Sequence, residues 1–139
     1  MTAFVDTSAL LALLSQDDEH HQSAVSGWAM LASEETTLVT SNYVVLETVA
    51  VAQHRLGLDA VRALVRDVLP PIDVVFIDEP VQRAALSALL AAGRRRLSLV
   101  DCVSFEFMKA QGLRDALALD AHFAEEGFRV LPGPTKRRS

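Results

Sequence analysis

The sequence predicts one α/β domain, a three-layer arrangement with a mostly parallel central sheet of four or five strands and helices on both faces. Three observations carry this. Short β-branched or apolar runs alternate with longer segments of helical period along the whole chain. Several of the short runs are apolar without alternation, as in strands covered on both sides. The length of 139 residues, half of them hydrophobic and 22% charged, suits one well-filled core. No internal repeat or low-complexity segment interrupts the pattern.

Ala3-Phe4-Val5 reads as a strand ending at Asp6, and Thr7–Ser15, rich in leucine, as a helix packed directly behind it. Asp17–Leu31 has apolar residues at helical spacing, including Val25, Trp28 and Ala29. Thr37–Thr40 is a short second strand. Ser41 or Asn42 then caps a helix to about Arg55, and Gly57 stops it. Leu58–Leu69 is a further helix, ended by Pro70-Pro71. Val74–Ile77 is the clearest strand signal. Asp78, Glu79 and Pro80 open a helix to Ala92, closed by Gly93. Ser98 caps the next helix, through Gln111, with Gly112 as terminator. Ala116–Leu119 and Phe128–Leu131 are the last strands, with a short helix at Ala121–Glu126 between them. The domain is expected over residues 1–132, followed by a short basic tail, 133–139.

Composition excludes several classes of function. A single cysteine, Cys102, excludes an internal disulfide framework and cysteine-rich zinc sites, and suits a reducing cytoplasm. The longest stretch free of Asp, Glu, Lys and Arg, His20–Ser33, has 14 residues, too few to span a bilayer. Thirteen Lys and Arg against eighteen Asp and Glu give a net charge of −5, so the chain lacks a broad basic footprint. A polyanion partner therefore requires local positive charge or metal ions.

The chemistry is expected beyond the carboxyl ends of the strands, where the following helices begin. Asp6 and Asp120 follow strands, and Asp101 lies in the first turn after Ser98. Each also has a structural reading: Asp6 and Asp120 as helix caps, and Ser98-Leu99-Val100-Asp101 as a capping box. Glu47 stands apart, inside the nearly all-apolar helix Tyr43–Ala52. There it needs a cation, a metal or a solvated cleft; Arg55 or Arg83 would serve as a salt-bridge partner. Two carboxylates about 5 Å apart repel by roughly 3 kcal/mol at an effective dielectric near 20. Four together need proton uptake or a divalent cation, and an all-oxygen donor set favours Mg²⁺ or Mn²⁺. Such ions commonly meet substrate phosphates, which points to phosphodiester chemistry.

Val5-Asp6-Thr7-Ser8-Ala9-Leu10, Glu47 in its apolar helix, Leu99-Val100-Asp101-Cys102-Val103-Ser104-Phe105 and Leu119-Asp120-Ala121-His122-Phe123 resemble the PIN domain. More narrowly, they resemble the VapC ribonuclease toxins of type II toxin–antitoxin systems. The likeness runs from about Phe4 to Leu131. It implies a PIN-like sandwich in which Asp6, Glu47, Asp101 and Asp120 form a catalytic, metal-holding acidic quartet. Supporting hydroxyls are expected from Thr7, Ser8 and Ser104. The implied activity is an Mg²⁺-dependent endoribonuclease, with Mn²⁺ as alternative, that cuts structured RNA such as tRNA or rRNA. Attack by water leaves a 5′-phosphate and a 3′-hydroxyl. A homodimer and a VapB-type antitoxin are implied as well. In one departure, Ala118 stands where the family often has Thr or Ser, so no hydroxyl at 118 orients Asp120.

Arg94, Arg95 and Arg96 are candidate RNA contacts, or else neutralise a helix C-terminus. Lys136-Arg137-Arg138 reads as solvated. His122, close to Asp120, is read as a surface residue, with a substrate contact as the alternative, and Cys102 as a small core residue. Trp28, Met30, Leu31, Val44, Val45, Val61 and Leu64 exceed the apolar surface one small sheet requires; they form either a dimer or antitoxin face, or ordinary core. Two competing functions have distinct signatures. A non-catalytic PIN-like module binding RNA or protein fits Ala118 but not four retained acids. A phosphoaspartyl enzyme fits Asp6 at a strand end but lacks a second Asp two residues on.

Overall fold

A computed structural model describes residues 1–94 and 96–132; Arg95 and the basic tail 133–139 lie outside the described residues. The chain forms β1 (Thr2–Val5), α1 (Thr7–Leu14), α2 (His21–Ser33), β2 (Thr37–Ser41), α3 (Asn42–Arg55) and α4 (Leu58–Ala63). A π-helical turn, Leu64–Val68, leads to β3 (Ile72–Val75), α5 (Glu79–Ala92), α6 (Leu99–Gln111), β4 (Asp115–Leu117), α7 (His122–Glu125) and β5 (Arg129–Leu131). All five strands are parallel in the order β3-β2-β1-β4-β5.

The chain winds outward from central β1 to β2 and β3, then crosses back to β4 and β5. Right-handed crossovers therefore place α1–α4 on one face and α5–α7 on the other. Ring packing agrees: Phe4 of β1 meets Phe107 of α6 and Phe123 of α7, with centroids 5.9 and 6.2 Å away. Phe123 also packs edge-on to Phe105 at 4.9 Å. These rings are core, as are Leu31, Val44 and Leu64, the ordinary-core alternative for those three, while Met30 is 36% exposed. The winding reverses between β1 and β4, and the crevice at their carboxyl ends is the switch point where such folds bind ligands.

Local chemistry sets most helix limits. Asp6, Ser41, Asp78 and Ser98 each cap a helix through a side-chain oxygen. Gly93 and Gly112 end α5 and α6 in the left-handed region, with φ of 60° and 68°. Several boundaries differ from expectation, among them the end of β4, which stops at Leu117 and not at Leu119. The helix predicted from Asp17 begins at His21, because Asp18 Oδ1 accepts from the His20 amide at 2.7 Å and turns the chain first. The helix predicted to Leu69 leaves α geometry at Leu64, where the Leu69 amide reaches back five residues to the Leu64 carbonyl at 2.9 Å.

The strand predicted over Val74–Ile77 lies two residues earlier. Its partner β2 ends at Ser41, which pairs with Val75, so the ladder stops there. The Ile77 amide instead donates to Asn42 Oδ1 at 2.9 Å. β3 is an edge strand: Ile72 is buried, Val74 and Val75 are 37% exposed, and Phe76 beyond it is 78% exposed. Among the described residues, no helix is long and apolar enough to cross a membrane.

Candidate active site

Asp6 is 2% exposed at the end of β1, in the N-cap position of α1. The strand end is fixed from both neighbours: Thr40 of β2 donates its hydroxyl to the Val5 carbonyl at 2.7 Å, and the Asp6 amide donates to Leu117 of β4 at 3.0 Å. Asp6 Oδ2 accepts from the Ser8 amide at 3.1 Å and the Ser8 hydroxyl at 2.7 Å. Ser8 Oγ in turn accepts from the Leu119 amide at 2.9 Å. One hydroxyl thus ties the first acid to the loop carrying Asp120, and does so without any hydroxyl at Ala118.

Asp120 follows β4, and its Oδ1 accepts from the His122 amide at 3.0 Å. Asp101, 8% exposed, is held by the reciprocal cap of α6: its amide donates to Ser98 Oγ at 3.0 Å and its Oδ2 accepts from the Ser98 amide at 3.3 Å. The same Oδ2 faces His122 Nδ1 at 3.1 Å. Asp101, Asp120 and His122 each offer one ligand atom, all within 4.8 Å of one another.

Glu47 lies half-buried on α3, near enough for the Asp101 and Asp120 charges to act on it. It pairs with neither Arg55 nor Arg83; Arg83 is bound to Glu79 on its own helix, and among the described residues Glu47 forms no ion pair. Beside it sits Thr7, whose buried hydroxyl makes no hydrogen bond of ordinary geometry yet lies close enough to favour the ionised carboxylate.

The electrostatics show the acids sharing one field. Burial, reinforced by the Asp120 and Asp101 charges and opposed by the Ser8 hydrogen bonds, pushes the Asp6 carboxyl from 3.8 to about 7. Burial and the Asp101 charge push Asp120 upward, against the pull of His122. Burial pushes Glu47 upward, with Asp101 and Asp120 adding to it and Thr7 opposing. Such a group either takes up protons or accepts a cation. Its donors are almost all oxygen, so the residues fit a hard divalent ion.

The remaining candidates fall elsewhere. Ser104 is fully buried, and its hydroxyl donates to the Val100 carbonyl one turn back at 2.9 Å. Arg94 pairs with Glu125 of α7 at 3.1 Å, Arg96 is exposed, and Arg95 lies outside the described residues. Burial pushes the Cys102 thiol upward, consistent with a core residue and not a nucleophile. His122 corrects the sequence reading: it is placed against Asp101 and not on an open surface. Its only local signal is its position two residues after Asp120.

Comparison with known proteins sets this geometry in a family. The chain is 32% identical over 126 residues to the 23S rRNA-specific endonuclease VapC20 of Mycobacterium tuberculosis, strains CDC 1551 and H37Rv, covering 90% of this chain and 94% of VapC20. The crystal structure of M. tuberculosis VapC20, described as a sarcin–ricin loop cleaving toxin, superposes with a TM-score of 0.80 at 31% identity, over 92% of this chain and 96% of that one. FitAcB from Neisseria gonorrhoeae shares the fold, with a TM-score of 0.67 at 19% identity over 94% of this chain and 96% of its own. The match to the PIN domain extends over residues 3–128, from the strand that delivers Asp6 to the edge of β5. On its fold, its relatives and the reach of that match, this chain belongs to the PIN domain family.

Proposed function

We propose that the protein is a metal-dependent endoribonuclease, the toxin of a VapBC-type pair, that hydrolyses a phosphodiester bond in structured RNA. The observation that carries this reading is the clustering of Asp101, Asp120 and His122 at the switch point, with Asp6 near enough that, on top of its burial, the Asp120 and Asp101 charges help push it to about 7. The named activity of VapC20, 32% identical over nearly the whole chain, supports 23S rRNA as the substrate and its sarcin–ricin loop as the segment cut.

Asp6, Asp101 and Asp120 would hold the cation, Mg²⁺ or Mn²⁺. When bound, it polarises the scissile phosphate and lowers the pKa of water beside it. Asp6 is oriented for this by Ser8, Asp101 by Ser98, and Asp120 by the His122 amide. Glu47 approaches from α3 with an upward-shifted carboxylate, which makes it a better acceptor for the proton of the attacking water. Water attacks phosphorus in line and the bond to the 3′-oxygen breaks, leaving a 5′-phosphate and a 3′-hydroxyl. Arg96, exposed on the loop tied to α7 by the Arg94–Glu125 pair, supplies positive charge for the RNA backbone in a chain of net charge −5. Partners follow from the same reading: a VapB-type antitoxin and a second copy of the chain. Exposed Leu86 and Leu90, one turn apart on α5, offer apolar surface for one of them.

The test is cleavage of purified 23S rRNA, with end mapping, in Mg²⁺, Mn²⁺ or EDTA. Discrete cuts bearing 5′-phosphate ends are expected with either ion, none in EDTA, and at least a hundredfold slower cutting by Asp6→Asn. RNA binding without metal-dependent cuts overturns the reading in favour of a non-catalytic module.

A further inference from the structure

The candidate site holds one group that an acidic quartet does not explain. His122 sits on the first residue of α7 with its ring turned toward Asp101, Nδ1 at 3.1 Å from Oδ2, while its own amide fixes Asp120 Oδ1 at 3.0 Å. We infer that His122 supplies an imidazole nitrogen to the cation, so that this centre is a mixed nitrogen–oxygen site that prefers Mn²⁺ to Mg²⁺. The inference rests on the metal-dependent reading above.

Adjacent ligands on an octahedral ion with bonds of about 2.1 Å lie about 3.0 Å apart, which matches the separation between Asp101 Oδ2 and His122 Nδ1. One oxygen of Asp120 falls within 4.8 Å of both, close enough for a small side-chain rotation to bring it onto the same ion. Packing keeps the ring there. Phe123, the next residue, is fully buried against Phe4 and Phe105. The Arg94–Glu125 pair anchors the far end of α7. Near the same group of charges, the buried Thr7 hydroxyl lies beside Glu47 without a hydrogen bond of ordinary geometry.

A neutral imidazole carries one N–H, so coordination through Nδ1 leaves the hydrogen on Nε2. The bridge from the ring to Asp101 is thereby replaced by two bonds to one ion. Both ions favour oxygen, but Mg²⁺ dehydrates reluctantly and keeps its waters, whereas Mn²⁺, a first-row transition ion, gives up a water to an imidazole more readily, so one nitrogen shifts the balance between these two toward Mn²⁺. A ring that only oriented Asp101 from outside would leave the preference between the two ions unchanged.

The experiment is pulsed electron paramagnetic resonance of Mn²⁺ bound to the full-length protein, with Asp101→Asn establishing which signal belongs to this site. Imidazole ¹⁴N modulation is expected in the native protein and absent from His122→Ala. Titration should show Mn²⁺ affinity falling about tenfold or more in His122→Ala, with Mg²⁺ affinity, read by competition, changing less than about twofold. The native spectrum needs no variant to fold. Mn²⁺ bound at this site without ¹⁴N modulation overturns the nitrogen ligand and leaves the metal-dependent nuclease standing, as does an equal loss of both ions in His122→Ala. No Mn²⁺ or Mg²⁺ bound at millimolar concentration overturns both readings.

Discussion

Asp6 is the residue on which function and stability meet. An acid held at about 7 in the folded chain and 3.8 outside it makes the native state bind the extra proton. Its contribution is therefore favourable below about pH 4 and is lost as pH rises through about 7. The shift corresponds to a cost on the order of 4 kcal/mol at pH 8. Asp6→Asn keeps a capping side chain and removes that ionisation. Denaturant unfolding should show it more stable than the native protein by a few kcal/mol at pH 8, with the gap closing toward pH 4; equal stability at pH 8 would show that the native carboxylate is not under strain. Millimolar Mn²⁺ should raise the native melting temperature at pH 8 and leave that of Asp6→Asn unmoved. At this scale the sequence is informative where a role is local: Asp6 ends an apolar run, and Asp101 stands three residues after Ser98. His122 is not legible, because its contact with Asp101 exists only once α7 has docked beside α6.

Among the elements, those with chemical punctuation are readable and those defined by a neighbour are not. α6 runs from its Ser98 cap to Gly112, and α3 from Ser41, because each limit is a side chain bonding its own backbone or a glycine in the left-handed region. β3 cannot be placed from its own residues. Val74, Val75 and Phe76 look like a buried strand, yet the length of β2 and the Asn42 side chain decide where pairing ends. The cap of α6 also does site work, since it fixes Asp101. Ser98→Ala should cost about 1 kcal/mol in chemical denaturation and slow RNA cleavage severalfold, whereas Ser98→Thr should retain both. Stability lost with cleavage unchanged would separate the cap from the site.

For the whole molecule, the ordering of strands explains why acids distant in sequence can act together. Asp6 and Asp120 flank the β1–β4 crevice because the winding reverses there, and α6 and α3 bring Asp101 and Glu47 to its rim. The α/β class was legible from alternation of pattern, while the strand order needed pairing across more than a hundred residues, as between β1 and β4. The most direct measurement is anomalous diffraction from crystals of the full chain soaked in Mn²⁺ near pH 8. The expected result is a peak enclosed by the carboxylates of Asp6, Asp101 and Asp120; density from that crevice empty of any ion, with Mn²⁺ at millimolar concentration, would contradict it.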